Sequence, residues 1–308
     1  MSTGNKEQSA TTITQLVESS HSLNEDKIEP GISDSTISDN VLKAPDARSC
    51  WKEESGEKNK DGKKVTILDR LLAANMLVPG SKLGREIQDD YRRIKRPLVS
   101  NACGRNKAMV DRGNLIMVTS SIPGEGKTYS SVNLALSIAQ EIDTTVLLVD
   151  CDVAKQGLSR MLGLETICGL VDVLENDNLT VGDVMLQTDI PNLRLLSAGK
   201  QSEYVAELLA SQRMSSIVNE MADRYNDRII IFDGPPLLPT PQTQILAGLV
   251  GQVVFVIEAG KTSQSLVEEA LGLIPEEQAT GLLLNKNEGL SSRGGYYYGY
   301  YGSDEVAP

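Results

Sequence analysis

The residues best suited to chemistry are a lysine, a threonine and three aspartates. Lys127 and Thr128 close the run Ser121-Ile-Pro-Gly-Glu-Gly-Lys-Thr128, which follows the apolar stretch Leu115 to Val118. Glycine suits a backbone that must turn tightly and approach an anion, and the amides opening the next helix then point at phosphate oxygens. In such a loop Lys127 reaches the β- and γ-phosphates and the Thr128 hydroxyl ligates Mg²⁺. The run therefore reads as a Walker A loop, with Ser121, Pro123, Gly124, Glu125, Gly126, Lys127, Thr128 and Tyr129 lining a nucleotide. The full pattern wants Gly at position 121; Ser121 is small enough to stand there.

The aspartates complete the set. Val146-Leu-Leu-Val-Asp-Cys-Asp152 ends in Asp150 and Asp152, and Ile229-Ile-Ile-Phe-Asp-Gly-Pro-Pro236 carries Asp233. Mg²⁺ keeps several waters and takes one or two carboxylates besides nucleotide phosphates. Asp233 is assigned to the ion through water, and Asp150 and Asp152 to the ion and to accepting the proton of an attacking hydroxyl. Catalysis is then expected from Lys127, Asp150, Asp152 and Asp233, metal ligation from Thr128, Asp150 and Asp233, with ATP and Mg²⁺ as cofactors. Asn285 closes the last apolar run, where it either bonds an adenine ring or simply ends a strand.

Positioning these residues requires strands that end together. Apolar β-type runs lie at Leu115 to Val118, Thr145 to Val149, Leu193 to Leu196, Arg228 to Phe232, Gln252 to Glu258 and Gly281 to Asn285. Helical patterns alternate with them, the clearest at Thr128 to Gln140, Glu203 to Arg224 and Ser263 to Leu273. Near-continuous apolar strands with helical crossovers predict an α/β fold of the P-loop NTPase kind: a parallel sheet covered on both faces, with its ligand at the carboxyl ends of the strands.

At 308 residues and 40% apolar content the chain can bury a sizeable core, and with two Phe and one Trp that core is aliphatic. A net charge of −12 argues against nonspecific nucleic-acid binding. Cys50, Cys103, Cys151 and Cys168 fall at no metal-ligand spacing, and His21 is the one histidine. No apolar run approaches the ~20 residues of a membrane span, and the N-terminus lacks an apolar signal core. The expectation is a cytoplasmic protein, soluble or held at the membrane by something else.

Residues 1–64 are polar with scattered apolar positions and read as disordered. The domain is expected over 65–287. It opens with an amphipathic helix, Val65 to Asn75, and, after Pro79-Gly80, a second helix from Leu83 to Arg96 stopped by Pro97. In the second helix Asp89, Arg92, Lys95 and Asp90, Arg93, Arg96 form two overlapping charge sets at three-residue spacing. Spacing alone favours a solvated helix with internal ion pairs over a subunit contact. Residues 288–308 form a flexible tail holding Tyr296, Tyr297, Tyr298, Tyr300 and Tyr301 among glycines. Such a tail is either a self-associating aromatic segment, an edge strand, or a substrate whose phenols accept a phosphoryl group. Ten residues from Lys286 to Tyr296 span at most roughly 33–36 Å, which reaches a neighbour's site or the chain's own.

With the loop, the paired acids, the Asp-x-Pro-Pro element and the tail in this order, residues 66 to 302 resemble the bacterial tyrosine kinases of polysaccharide export and assembly. Within them the exosortase-associated tyrosine autokinases look closest. The resemblance implies ATP-dependent autophosphorylation of the tail, in trans within a ring oligomer, regulating exopolysaccharide or capsular polysaccharide biosynthesis and export. It implies a separate membrane-spanning activator at the inner face of the cell membrane. The charge that phosphorylation adds would expel the tail and loosen the ring, a cycle that a tyrosine phosphatase is expected to reset. The family's ring helix carries Glu-x-x-Arg-x-x-Arg, matched here by Asp89 or Asp90 with Arg92, Arg93, Lys95 and Arg96, which moves that helix toward an interface. Ala154 departs from the family's Arg, with Lys155 following. The rival class, ATP-driven switches resembling the MinD and ParA ATPases, places a Lys early in the loop, and Ser121-Ile-Pro-Gly has none. A Tyr-rich assembly scaffold stabilised by nucleotide, without kinase activity, is the third reading.

Overall fold

The computed structural model describes residues 63–78, 85–104, 107–225 and 228–287. In chain order they form β1 (Lys64–Val65), α1 (Leu68–Ala73), α2 (Arg85–Cys103), β2 (Leu115–Ser120), α3 (Lys127–Ala139) and β3 (Thr145–Asp150). There follow α4 (Gly157–Leu162), α5 (Leu170–Glu175), α6 (Val181–Val184), β4 (Leu186–Thr188), β5 (Leu193–Leu196), α7 (Val205–Leu209) and α8 (Gln212–Arg224). The last elements are β6 (Arg228–Asp233), α9 (Gln242–Leu249), β7 (Gln252–Glu258), α10 (Gln264–Leu271) and β8 (Ala279–Asn285). All strands join one sheet in the order β1-β4-β5-β3-β6-β2-β7-β8. Its pairs are parallel except β4 with β5.

The alternation of a strand sorts the core into two faces. In β2, Leu115 and Met117 join one apolar cluster with residues of α5 to α10. Ile116 and Val118 join the other, with residues of α1 to α4. Both faces of the central strands are thus covered, which is why they read as unbroken apolar runs. The chain's two phenylalanines, Phe232 and Phe255, are completely buried there; burying such a side chain stabilises by roughly 1.5–3 kcal/mol.

Several boundaries differ from the sequence reading, each for a tertiary reason. The helix expected from Val65 begins at Leu68, while Lys64 and Val65 pair with β4. Asp189 decides this: its carboxylate accepts the Ile67 and Leu68 amides at 2.9 and 3.3 Å, a cap supplied from far along the chain. The helix expected to stop at Pro97 runs through it to Cys103. Pro97 is exposed, so water can satisfy the carbonyl its ring leaves unbonded, while Leu98 and Ala102, one turn apart, are buried against the sheet. Gln252 at the start of β7 then ties down this last stretch, donating to Leu98 O and Gly113 O and accepting from Asn101 Nδ2. The single helix expected from Glu203 to Arg224 is two, because Ser211 adopts extended backbone and caps α8 by accepting the Met214 amide. Residues 1–62, Leu83 and the tyrosine tail from 288 on lie outside the described residues.

Candidate active site

The phosphate loop hangs between β2 and α3. Gly124 and Gly126 have φ of 95° and 101°, in the left-handed region that glycine alone enters readily. At Gly126 space adds a second constraint, since a Cβ there would lie 2.0 Å from Asn285 Nδ2. The loop is braced from two sides. Asp233 and the residues after it support one side: Gly234 N donates to Val118 O, Leu237 N to Ser120 O, and Thr119 Oγ1 to Pro235 O. The end of β8 grips the other: Asn285 Nδ2 donates to Glu125 O at 2.8 Å and Lys286 Nζ to Gly124 O at 2.7 Å. Asn285, expected to face an adenine ring or merely end its strand, thus gives its amide to the loop backbone.

Within the loop, Glu125 is buried and its side chain serves the scaffold. It accepts the Ile122 amide at 2.8 Å, the Thr262 hydroxyl, and the Glu258 amide at 3.4 Å. Ser121, standing where the pattern wants Gly, is buried with its hydroxyl lacking a hydrogen-bond partner, and Pro123 is exposed. Tyr129 is half-buried on α3, and burial raises its phenol.

The three acids arrive as the strands require. Asp150 and Asp233 are register partners on β3 and β6, and both are completely buried. Asp233 accepts the Thr128 hydroxyl on one oxygen and the Ser131 hydroxyl on the other, each at 2.8 Å. Asp150 Oδ2 accepts both the amide and the hydroxyl of Ser159, at 2.8 and 2.7 Å, while its Oδ1 is buried without a partner. Burial, then the charge of Asp233, push Asp150 up to about 7. Burial also lifts Asp233 to about 6, against the Thr128 and Ser131 bonds and the charge of Lys127. Lys127 is buried too; desolvation lowers its ammonium, and Asp152 and Asp233 pull it back.

This donor set fits a magnesium–nucleotide. Two buried carboxylates above their usual range, one with an unpartnered oxygen, relax when a divalent cation arrives. Thr128 donates its proton to Asp233 and keeps lone pairs for a metal. Among the described residues no three Asp, Glu, His or Cys side chains gather as a metal cluster. An ion that comes with phosphates and waters needs only one or two carboxylates. Asp152 is buried beside them, and the exposed Ala154 and Lys155 follow.

Two serines were missed in the sequence. Ser131 was findable, being one turn beyond Lys127 on the same helical face. Ser159 was not, because nine residues and a loop separate it from Asp150. The charged helix divides. Asp89 pairs with Arg92 at 2.8 Å and Asp90 with Arg93 at 3.7 Å, all exposed. Lys95 instead turns inward, correcting its place in the exposed set. It donates to Ser137 O at 2.7 Å, near the carboxyl end of α3, and pairs with Glu141. Arg96 lies beside it on the exposed side.

Residues 113–278 match a family model described as an AAA domain. With the loop, the acids and the strand order, this defines the class: a P-loop nucleoside-triphosphatase domain. The chain is 31% identical to the "Putative tyrosine-protein kinase CapB" of Staphylococcus aureus, over 71% of this chain and 91% of that protein. It is 32% identical to the "Tyrosine-protein kinase YwqD" of Bacillus subtilis, over 64% of this chain and 82% of that one. The solved VpsO kinase domain aligns with a TM-score of 0.56 at 29% identity, covering 66% of this chain and 97% of that structure. The chain belongs to the bacterial tyrosine kinase family.

Proposed function

We propose that this protein is an ATP-dependent tyrosine autokinase that phosphorylates its own tail cluster, Tyr296, Tyr297, Tyr298, Tyr300 and Tyr301, in trans within a ring. The observation that carries the reading is convergence. Lys127, Thr128, Asp150 and Asp233 meet at one sheet edge, and β8 ends on the same loop, eleven residues before Tyr296. Relatives named as tyrosine-protein kinases at about this identity support it. A role in capsular or exopolysaccharide production belongs to the same proposal, as do the separate membrane-spanning activator, the phosphatase and the exosortase-associated branch. No helix among the described residues is long and apolar enough to cross a membrane.

Mg²⁺, when bound, supplies charge neutralisation at the phosphates; Thr128, Asp150 and Asp233 are the residues that would hold it. The protein's part is to position. Lys127 and the loop amides hold the phosphate chain, and Asp150 or Asp152 accepts the proton of a tail phenol. The phenolate oxygen bonds to the γ-phosphorus as the bond from that phosphorus to the β,γ-bridging oxygen breaks, and ADP leaves with the electron pair. Most of the rate comes from placement and charge stabilisation.

The test is incubation of the purified full chain with MgATP at concentrations where it oligomerises, followed by phosphosite mapping. Wild type should carry phosphate on the tail and Lys127→Met should not. Phosphate equal in both overturns the reading, and so does phosphate absent from wild type when the activator's cytoplasmic segment is also present.

A further inference from the structure

We propose that Ser159 is a positioning residue: it locks Asp150 by one oxygen, so that the other faces the incoming magnesium–nucleotide. The inference rests on the nucleotide site proposed above. Asp150 is completely buried, yet its bonds are lopsided. Oδ2 takes both the amide and the hydroxyl of Ser159, at 2.8 and 2.7 Å, and Oδ1 has no partner.

A purely structural cap would be built differently. The Ser159 amide alone satisfies the helix-end role, since it is one of the open donors in the first turn of α4. Leaving a buried carboxylate oxygen unbonded forfeits its hydration with nothing in return. A second donor would therefore stabilise the fold best on Oδ1, and Ser159 gives it to Oδ2 instead. The hydroxyl is itself fixed, because Ser159 Oγ also accepts the Ala198 amide at 2.9 Å, just past the end of β5. Its proton is thereby committed to Asp150 and a lone pair to Ala198. The side-chain torsion of an aspartate carboxyl is broad, so one amide bond would let the group swing. Two bonds to one oxygen, from a rotor that cannot turn, set the carboxyl plane and hold Oδ1 available.

The test uses the full chain as wild type, Ser159→Ala, Ser159→Thr, Asp150→Asn and the double variant Asp150→Asn/Ser159→Ala. Three quantities are read: ADP affinity with EDTA and with Mg²⁺, kcat and KM for tail phosphorylation, and the nucleotide-free melting temperature. Ser159→Ala should lose about 10- to 100-fold in the Mg²⁺-dependent gain of ADP affinity and in kcat, as is usual for groups that orient metal ligands. Its affinity in EDTA should stay near wild type, its KM for MgATP should rise along with the lost Mg²⁺ response, and Ser159→Thr, which keeps the hydroxyl, should recover the loss. In the Asp150→Asn background Ser159→Ala should add nothing, since it acts through that carboxyl. A wild-type Mg²⁺ response in Ser159→Ala, or equal losses in both backgrounds, overturns the proposal. If wild type makes no phosphotyrosine even with the activator's cytoplasmic segment while Ser159→Ala still weakens the Mg²⁺ response, the kinase reading falls and the positioning role stands.

Discussion

At the scale of single residues, the site is a set of buried ionisable groups whose titration burial has moved. Asp150 titrates near 7 when folded, against an ordinary value of 3.8. The folded protein therefore keeps a proton that the unfolded chain releases. This contribution to stability is full below about pH 4 and is lost as the pH rises through about 7. At most this contribution amounts to roughly 4 kcal/mol. Asp150→Asn, neutral at every pH, should melt several degrees above wild type at pH 8 without nucleotide. The gain should shrink toward zero by pH 4, and a melting gain that ignores pH would refute the burial account. Glu125 makes the opposite case, a carboxylate already satisfied. Glu125→Ala would strand the Ile122 amide and the Thr262 hydroxyl. It should destabilise by about 2–4 kcal/mol and weaken ADP binding at least tenfold, read by calorimetry. The loop's residue types were legible because phosphate binding fixes them locally. The direction of the Glu125 side chain was not, since Thr262 lies 137 residues away.

At the scale of elements, the sheet was legible and its fastenings were not. Runs such as Leu115 to Val118 announce a central strand by composition alone, because both faces are covered. Short pieces such as β1 and β4 carry no comparable run and form only where neighbours complete them. Pro97 shows the limit of local rules: it ends a helix only when nothing beyond it gains by continuing, and here Leu98 and Ala102 do. Gln252, completely buried, is the fastening for that continuation. Gln252→Ala would leave Leu98 O, Gly113 O and Asn101 Nδ2 without its bonds. The expected loss is about 2–3 kcal/mol, seen as a lower urea midpoint with an unchanged slope. Hydrogen exchange should report faster opening in residues 98–103, and equal protection there would show that α2 is held by apolar packing alone.

At the scale of the whole molecule, the proposed ring and the proposed chemistry oppose one another. The exposed pairs on α2 contribute little to the fold, about 0–1 kcal/mol each in water. Reversing Arg93, the most exposed of these four side chains at 78%, should therefore leave the melting temperature within about a degree. If this helix face holds subunits together, the same Arg93→Glu change should reduce the assembly seen by native mass spectrometry. Phosphorylation works on the same balance from the other side. Each phosphotyrosine adds about −1.5 to −2 charge near neutral pH, so five would place roughly −8 to −10 on a short tail. The chain already carries −12, and the tail would sit against nucleotide phosphates and the acids at the strand ends. Repulsion should expel the modified tail and loosen the ring, so ATP should convert a large assembly to smaller species while Lys127→Met stays assembled. Raising the salt concentration should restore part of the assembly, because a Debye length near 10 Å at 0.1 M shrinks to about 3 Å at 1 M. A fully phosphorylated protein that keeps its size at low salt would mean the tail does not control assembly by charge.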